Sequence, residues 1–215
     1  MKRLRGVEGN ESLADDPIEL YLRCPRLTIL GEGVQSFPTC KCLRFVDLTA
    51  CPKLKFIPPL AFSSCSFHRE VVWNSDDIEE IGDAAFQDCH ALEKVTIPLR
   101  VKKLGLGTFR LCHSLESVVL NPKCKSIGFQ CFTVCSSLVD FEFHDNISDI
   151  ASGAFAQTGL TSVKLPAKLR VLENEVFANC KNLAEVILNE KLRSIGDSAF
   201  GSCKSLKKIT FNKNL

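Results

Sequence analysis

Phenylalanine returns at a nearly fixed interval along this chain. Phe62, Phe86, Phe109, Phe132, Phe155, Phe177 and Phe200 are spaced 24, 23, 23, 23, 22 and 23 residues apart. Each sits in the same local text. Ile81 to Pro98 reads IGDAAFQDCHALEKVTIP, and variants of it start at Leu104, Ile127, Ile150, Leu172 and Ile195. A period in the twenties is the mark of a solenoid. One unit cannot enclose its own apolar residues, but stacked units bury theirs against one another.

The apolar pattern inside a unit predicts its shape. Val95 and Ile97 are two apart and share one face of an extended segment, while Lys94 and Thr96 take the other. Pro98 cannot donate to a ladder and closes the strand. Val101 and Leu104 follow, Gly105 permits the next turn, and Phe109 and Cys112 fill the remaining interior.

Six successive units of this form resemble the BspA-like, or Treponema-type, leucine-rich repeat, whose units read roughly IGxxAFxxCxxLxxVxIPxxVxx. The resemblance runs from about Cys40 to Leu215. It implies a leucine-rich-repeat solenoid: a right-handed superhelix with a curved parallel β-sheet on the concave side, and short strands, turns and helical turns on the convex side. It also implies binding, since family members are often cell-surface or adhesive proteins that bind host or matrix proteins. This chain departs from the pattern at four places. His68 holds a leucine position, Thr158 a cysteine position, and Ala151 and Glu173 stand where glycine is usual.

The unbroken repeat predicts one elongated domain over 17–215. Residues 1–16 are polar, mixed in charge and expected to be a flexible tail. Asp16 as N-cap and Pro17 at the first helical position predict a short capping helix over 17–26. Irregular repeats are expected over about 27–62, with Leu27–Leu30 as a first strand, and regular repeats over 63–215. The N-terminal stretch has no apolar run of the secretory type. A cytoplasmic location is the expectation, with the cell surface as the alternative for a fragment. No stretch approaches the ~18 apolar residues of a membrane span. The net charge is only +2, and Lys and Arg are scattered, so neither nucleic acid nor an anionic membrane is an expected partner. The text stops at TFNKNL, directly after the last strand, which predicts a bare edge and weak self-association through it.

Twelve cysteines invite a disulfide or metal reading. Their register argues for neither. Cys24, Cys40, Cys65, Cys89, Cys112, Cys135, Cys180 and Cys203 share one slot, which predicts an interior row of reduced thiols. Cys124 and Cys131 replace a valine and an alanine of the repeat. Cys40, Cys42 and Cys51 are the least explained by it. Cys89-His90 and Cys112-His113 bring two zinc-type ligand pairs side by side, but alternation sends the thiols inward and the imidazoles outward, so no metal is expected. Gly105-Leu106-Gly107 lacks the third glycine of a phosphate loop. No cofactor is implied. Asp140, Glu142 and His144 form the one cluster suited to acid–base work, yet no nucleophile or oxyanion donor accompanies them. An enzyme is therefore not expected.

What remains is the outward side of the predicted sheet. By register it presents Phe45, Asp47, Glu70, Val72, Lys94, Thr96, Ser117, Val119, Asp140, Glu142, Ser162, Lys164, Glu185, Ile187, Lys208 and Thr210. Eight strands at ~4.8 Å spacing make a surface roughly 35–40 Å across. Apolar Phe45, Val72, Val119 and Ile187 among charges of both signs suit anchors within a polar rim. The expected function is a non-catalytic protein-binding module. The other class is a structural or assembly role within a larger complex, or an adhesin-like fragment of a surface protein.

Overall fold

In the computed structural model, the described residues are 2–3, 18–21, 43–49, 51, 53–65, 69–73 and 77–211. Among them are sixteen short strands, every pairing parallel. In chain order they are β1 (Lys2–Arg3), β2 (Ile18–Tyr21), β3 (Leu43–Asp47), β4 (Phe56–Ile57), β5 (Val71–Val72), β6 (Glu80–Ile81), β7 (Lys94–Thr96) and β8 (Lys103–Leu104). Then come β9 (Ser117–Val119), β10 (Ser126–Ile127), β11 (Asp149–Ile150), β12 (Ser162–Lys164), β13 (Val171–Leu172), β14 (Glu185–Ile187), β15 (Ser194–Ile195) and β16 (Lys208–Thr210). They form a right-handed parallel solenoid of about seven turns.

Each turn has three faces. The concave face carries β1-β2-β3-β5, then β7-β9, then β12-β14-β16. A second face carries the two-residue strands as β4-β6, β8-β10-β11 and β13-β15. The third face is made of turns alone, with no helix among the described residues.

The turn face is the continuous one. Ala84, Phe86 and Asp88 donate their N–H groups to the carbonyls of Leu106, Thr108 and Arg110 in the next unit. The same three bonds recur at every junction from Leu60 to Gly201, at 2.7–3.2 Å. The outer two donors of each set lie in left-handed backbone, as with Ala84 (φ 53) and Asp88 (φ 65), or Gln130 (φ 52) and Val134 (φ 65). Only Gly107 and Gly153 fill such positions with glycine. An L-residue in this region costs about 1–2 kcal/mol, and the ladder it feeds holds it there.

The marker phenylalanines form a stack behind this face. Phe62 to Phe177 are fully buried, and consecutive rings from Phe62 to Phe200 lie 5.2–5.7 Å apart and nearly parallel. The thiol row lies beside them. Cys89 donates Sγ–H to the Phe62 carbonyl at 3.2 Å, and Cys112, Cys135, Cys180 and Cys203 do the same to Phe86, Phe109, Phe155 and Phe177 at 3.1–3.2 Å, the row being interrupted at Thr158.

Three expectations change. The predicted capping helix over 17–26 is, in its described part, the strand β2; it pairs with β1, formed by Lys2–Arg3 of the expected tail. An alternating Ile-x-Leu segment beside an open strand edge gains ladder bonds that a short helix would not supply. The Leu27–Leu30 strand lies outside the described residues. Finally, the concave sheet is not continuous, because residues 138–144 form no strand. Its two inward positions are Phe141 and Phe143, where other units have Val95 and Ile97 or Val163 and Leu165. Both rings pack on Phe155, at 4.8 and 5.3 Å, and this bulk displaces the segment from the ladder. The following unit is one residue short, and Gly159 takes up the difference. A Cβ there would stand 2.3 Å from the Ser136 carbonyl oxygen.

The second face breaks one step later, between β11 and β13. Between residues 139–150 and 161–172 neither face has a strand ladder. The turn face still bridges that junction, through Gly153 to Asn174, Phe155 to Val176 and Gln157 to Ala178.

Candidate protein-binding face

Alternation along the strands sends side chains outward as expected. Lys94, Thr96, Lys164, Lys208 and Thr210 are exposed on β7, β12 and β16. Val119 on β9 is 54% exposed and Ile187 on β14 39%, while Val72 on β5 is half-buried. Asp47 is half-buried on β3 and accepts from the Thr49 hydroxyl at 2.6 Å. Phe45 lies in β3, and its side chain is outside the described residues. Glu70 is exposed and pairs with Lys94 as an isolated bridge that joins β5 to β7. The Trp73 indole strengthens this joint by donating to the Thr96 carbonyl at 2.8 Å.

Asp140 and Glu142 are exposed but sit on no strand. They border a cleft of about 460 Å³ in the concave face, opposite β9, together with Glu116, Phe141, Phe143 and His144. The Glu142–His144 grouping is real in space, yet it contains no nucleophile. His144 Nδ1 accepts the Asn146 N–H at 3.3 Å, and its Nε2 is buried with no hydrogen-bond partner.

Charge on this face is partly neutralised. Glu185 pairs with Lys208 at 2.6 Å and Arg69 with Glu93 at 3.6 Å. On the adjoining edge, Lys55 and then Arg100 hold the Glu79 carboxyl below its usual value. No ion pair of Glu116, Asp140, Glu142 or Lys164 is formed among the described residues.

The other candidate chemistries resolve into packing. Burial pushes the thiols of Cys89, Cys135 and Cys131 well up from their ordinary value, and those of Cys124 and Cys180 up as well. Cys203, half-buried, rises to about 11 for the same reason. Cys89, Cys112, Cys124, Cys131, Cys135, Cys180 and Cys203 form no disulfide, Cys51 and Cys65 are buried, and Cys24, Cys40 and Cys42 lie outside the described residues. His90 and His113 stack outward at 5.1 Å, away from their buried neighbours Cys89 and Cys112, and His90 meets Asp88 at 3.0 Å. No three metal-ligating side chains converge among the described residues. The Gly105-Leu106-Gly107 turn already has an anion: Leu106 N–H donates to the Asp83 carboxylate at 2.8 Å.

Some residues that shape the face were not singled out from the sequence. Asn121 is buried just after β9, where its amide donates to the Pro98 and Val101 carbonyls at 2.7 and 2.8 Å and accepts from the Lys123 and Cys124 N–H groups. Asn189 makes the corresponding bonds to Pro166 and Leu169. The signal was present, since asparagine stands directly before proline in LNP and before glutamate in LNE, where other units carry IP or LP.

The model of the BspA type leucine rich repeat region matches six copies over residues 31–128 and 102–215. The chain belongs to this family. Among solved structures, this BspA-type chain is similar to a leucine-rich repeat protein of T. pallidum, with 30% identity, 72% of each chain covered and a TM-score of 0.65. A leucine-rich repeat protein from Bacteroides ovatus shares the fold at 20% identity and TM-score 0.58, over 93% of this chain and 73% of that one. A leucine rich cell surface protein from Faecalibacterium prausnitzii does so at 22% identity and TM-score 0.58, over 93% of this chain and 61% of that one. A comparison with curated proteins finds no match. The family consists of repeat proteins often used in protein interaction or surface adhesion, generally non-catalytic.

Proposed function

We propose that this chain is a non-catalytic protein-binding module that engages a partner protein through its concave face. The observation that carries the reading is the display of exposed Val119 and Ile187 on strands whose inward residues face the core, Val186 buried within it and Val118 partly buried against it. Lone exposed apolar residues mean little. These two stand on one concave face, on either side of the break in its sheet, with Lys94, Thr96, Lys164 and Lys208 around them, in the arrangement of anchors and polar rim. Each anchor is held by its own parallel strand pairing, β9 on β7 and β14 on β12 and β16, which keeps the local ordering cost of association low.

The test compares captured partners. Tagged wild type, the double variant Val119→Glu/Ile187→Glu and the control Leu106→Glu (Leu106 is 49% exposed on the turn face) are used as bait at matched melting temperature. A partner held by wild type and control but lost by the double variant is the expected result. Partners retained equally by all three baits would overturn the concave-face reading.

A further inference from the structure

We infer that the cleft between β9 and residues 139–144 takes an extended segment of a partner protein carrying lysine or arginine. This rests on the concave-face reading and names the chemistry of the partner.

The cleft is a missing stretch of ladder. At corresponding places Leu48, Ile97, Leu165 and Leu188 donate their N–H groups to Val72, Val119, Ile187 and Thr210, at 2.7–3.1 Å. Leu120 makes no such bond to Glu142. On the other flank, the Glu93 carbonyl accepts from both Glu116 and Ser117 at 2.8 and 3.2 Å, but the Glu116 carbonyl receives neither Val139 nor Asp140. One main-chain donor and one main-chain acceptor are thus left at opposite ends of β9, facing the cleft. An extended peptide supplies the complementary pair, as in strand addition to a sheet edge.

The opening is local. On the second face β8, β10 and β11 pair without interruption past the same junction, Ser126 with Lys103 and with Asp149. The units are therefore stacked normally there, and the gap belongs to the concave side alone.

Charge selects the side chains of the occupant. Glu116, Asp140 and Glu142 line the cleft, all exposed, and no Lys or Arg does. Other acids nearby are committed, Glu185 to Lys208 and Glu93 to Arg69. An ammonium or guanidinium group answers the three free carboxylates, and its aliphatic stem lies along exposed Val119. His144 lines the cleft as well, its Nδ1 accepting from the Asn146 N–H and its Nε2 buried without a hydrogen-bond partner among the described residues.

The probes are a seven-residue capped peptide alternating lysine and threonine, its glutamate–threonine counterpart, and spermine. Fluorescence anisotropy at low and moderate salt gives affinity, and amide chemical shifts give location. The lysine peptide is expected to bind, to weaken with salt, and to shift the amides of 116–120 and 139–144. The triple variant Glu116→Gln/Asp140→Asn/Glu142→Gln is expected to weaken it at least tenfold, and Glu173→Gln, away from the concave face, to leave it unchanged. Absence of binding by the lysine peptide, equal binding by the glutamate peptide, or binding insensitive to the triple variant would each overturn the inference. Equal affinity for spermine with the same shifts would make this a simple cation site and overturn the peptide assignment. A partner lost by Val119→Glu/Ile187→Glu but kept by the triple variant would sink the cleft and leave the concave-face reading standing.

Discussion

Truncating Phe132 to alanine tests the packing logic of the whole solenoid. The ring is fully buried and touches three others: Phe109 at 5.5 Å and Phe155 at 5.2 Å, both stacked, and Phe141 at 5.5 Å, tilted. Loss of a buried phenylalanine costs about 3–5 kcal/mol, and the ring pairs, each about 0.5–1.5 kcal/mol beyond area, place Phe132 at the upper end. Phe200 is the internal control. It is half-buried and has one stacked neighbour, Phe177 at 5.7 Å, so Phe200→Ala should cost about 1–2 kcal/mol on the transfer scale. Units couple only to neighbours, so unfolding need not be two-state. The assay therefore combines urea unfolding with hydrogen exchange read unit by unit. Trp73, the single tryptophan, is buried edge-on to Phe86 and reports the early units by fluorescence. Phe132→Ala should raise exchange in the units on both sides of residue 132 before Trp73 responds. Equal costs for the two variants, or a cost below about 0.5 kcal/mol for Phe132→Ala, would refute an interior stack as the main source of cohesion.

Alkali should destabilise the protein through its thiols. The folded cysteines keep their protons above the ordinary value of 9.0, so their contribution is complete below that pH and is lost as pH rises through the folded values, about 11 for Cys203. Urea midpoints should be level between pH 7 and 8.5 and fall from pH 9 upward, less steeply in Cys203→Ala; a flat profile to pH 11 would contradict the buried-thiol row. The left-handed turn positions give a pair of opposite outcomes. Glu175→Gly, at an exposed site with φ 58, should stabilise by roughly 0.5–1 kcal/mol, and Gly153→Ala, at φ 66 with a Cβ 3.2 Å from Gln130, should destabilise by about 1 kcal/mol in the same assay. Matching signs would show that backbone strain at these turns is not what those residues answer to.

The architecture was legible because the period survives every substitution. Val95 and Ile97, Phe109 and Cys112 declare inside and outside by position alone, and the structure places them so. The outward register of Lys94, Thr96, Val119, Lys164 and Ile187 followed from the same alternation. The missing strand did not. Phe141 and Phe143 satisfy the apolar pattern as well as any valine, and their effect is one of volume, which a pattern of polar and apolar letters does not carry. The cleft beside them was invisible for that reason, although Asp140, Glu142 and His144 were noticed. The three-bond ladder of the turn face was hidden too, because several of its left-handed positions are filled by residues that carry no turn signal, such as Ala84, Leu111, Val134 and Glu175, so that Ser64, Asp88 and Asn179 at equivalent places form no repeating pattern.

The junction between residues 139–150 and 161–172 has a mechanical meaning. Two of its three faces lack a ladder, while Gly153, Phe155 and Gln157 keep the turn face bonded. Elsewhere it has only scattered bonds, Thr161 to the Val139 carbonyl and Ala167 and Lys168 to the Asp145 and Asn146 side chains, and a stack tied chiefly along one edge opens like a book. The compliant axis runs along the turn face, and bending about it widens or narrows the concave side while every other junction keeps its shape. The solenoid is then two stiff blocks with an adjustable angle between them. A ligand that touches both β9 and β14 would set that angle, and the curvature presented to it would be a property of the complex rather than of the free chain.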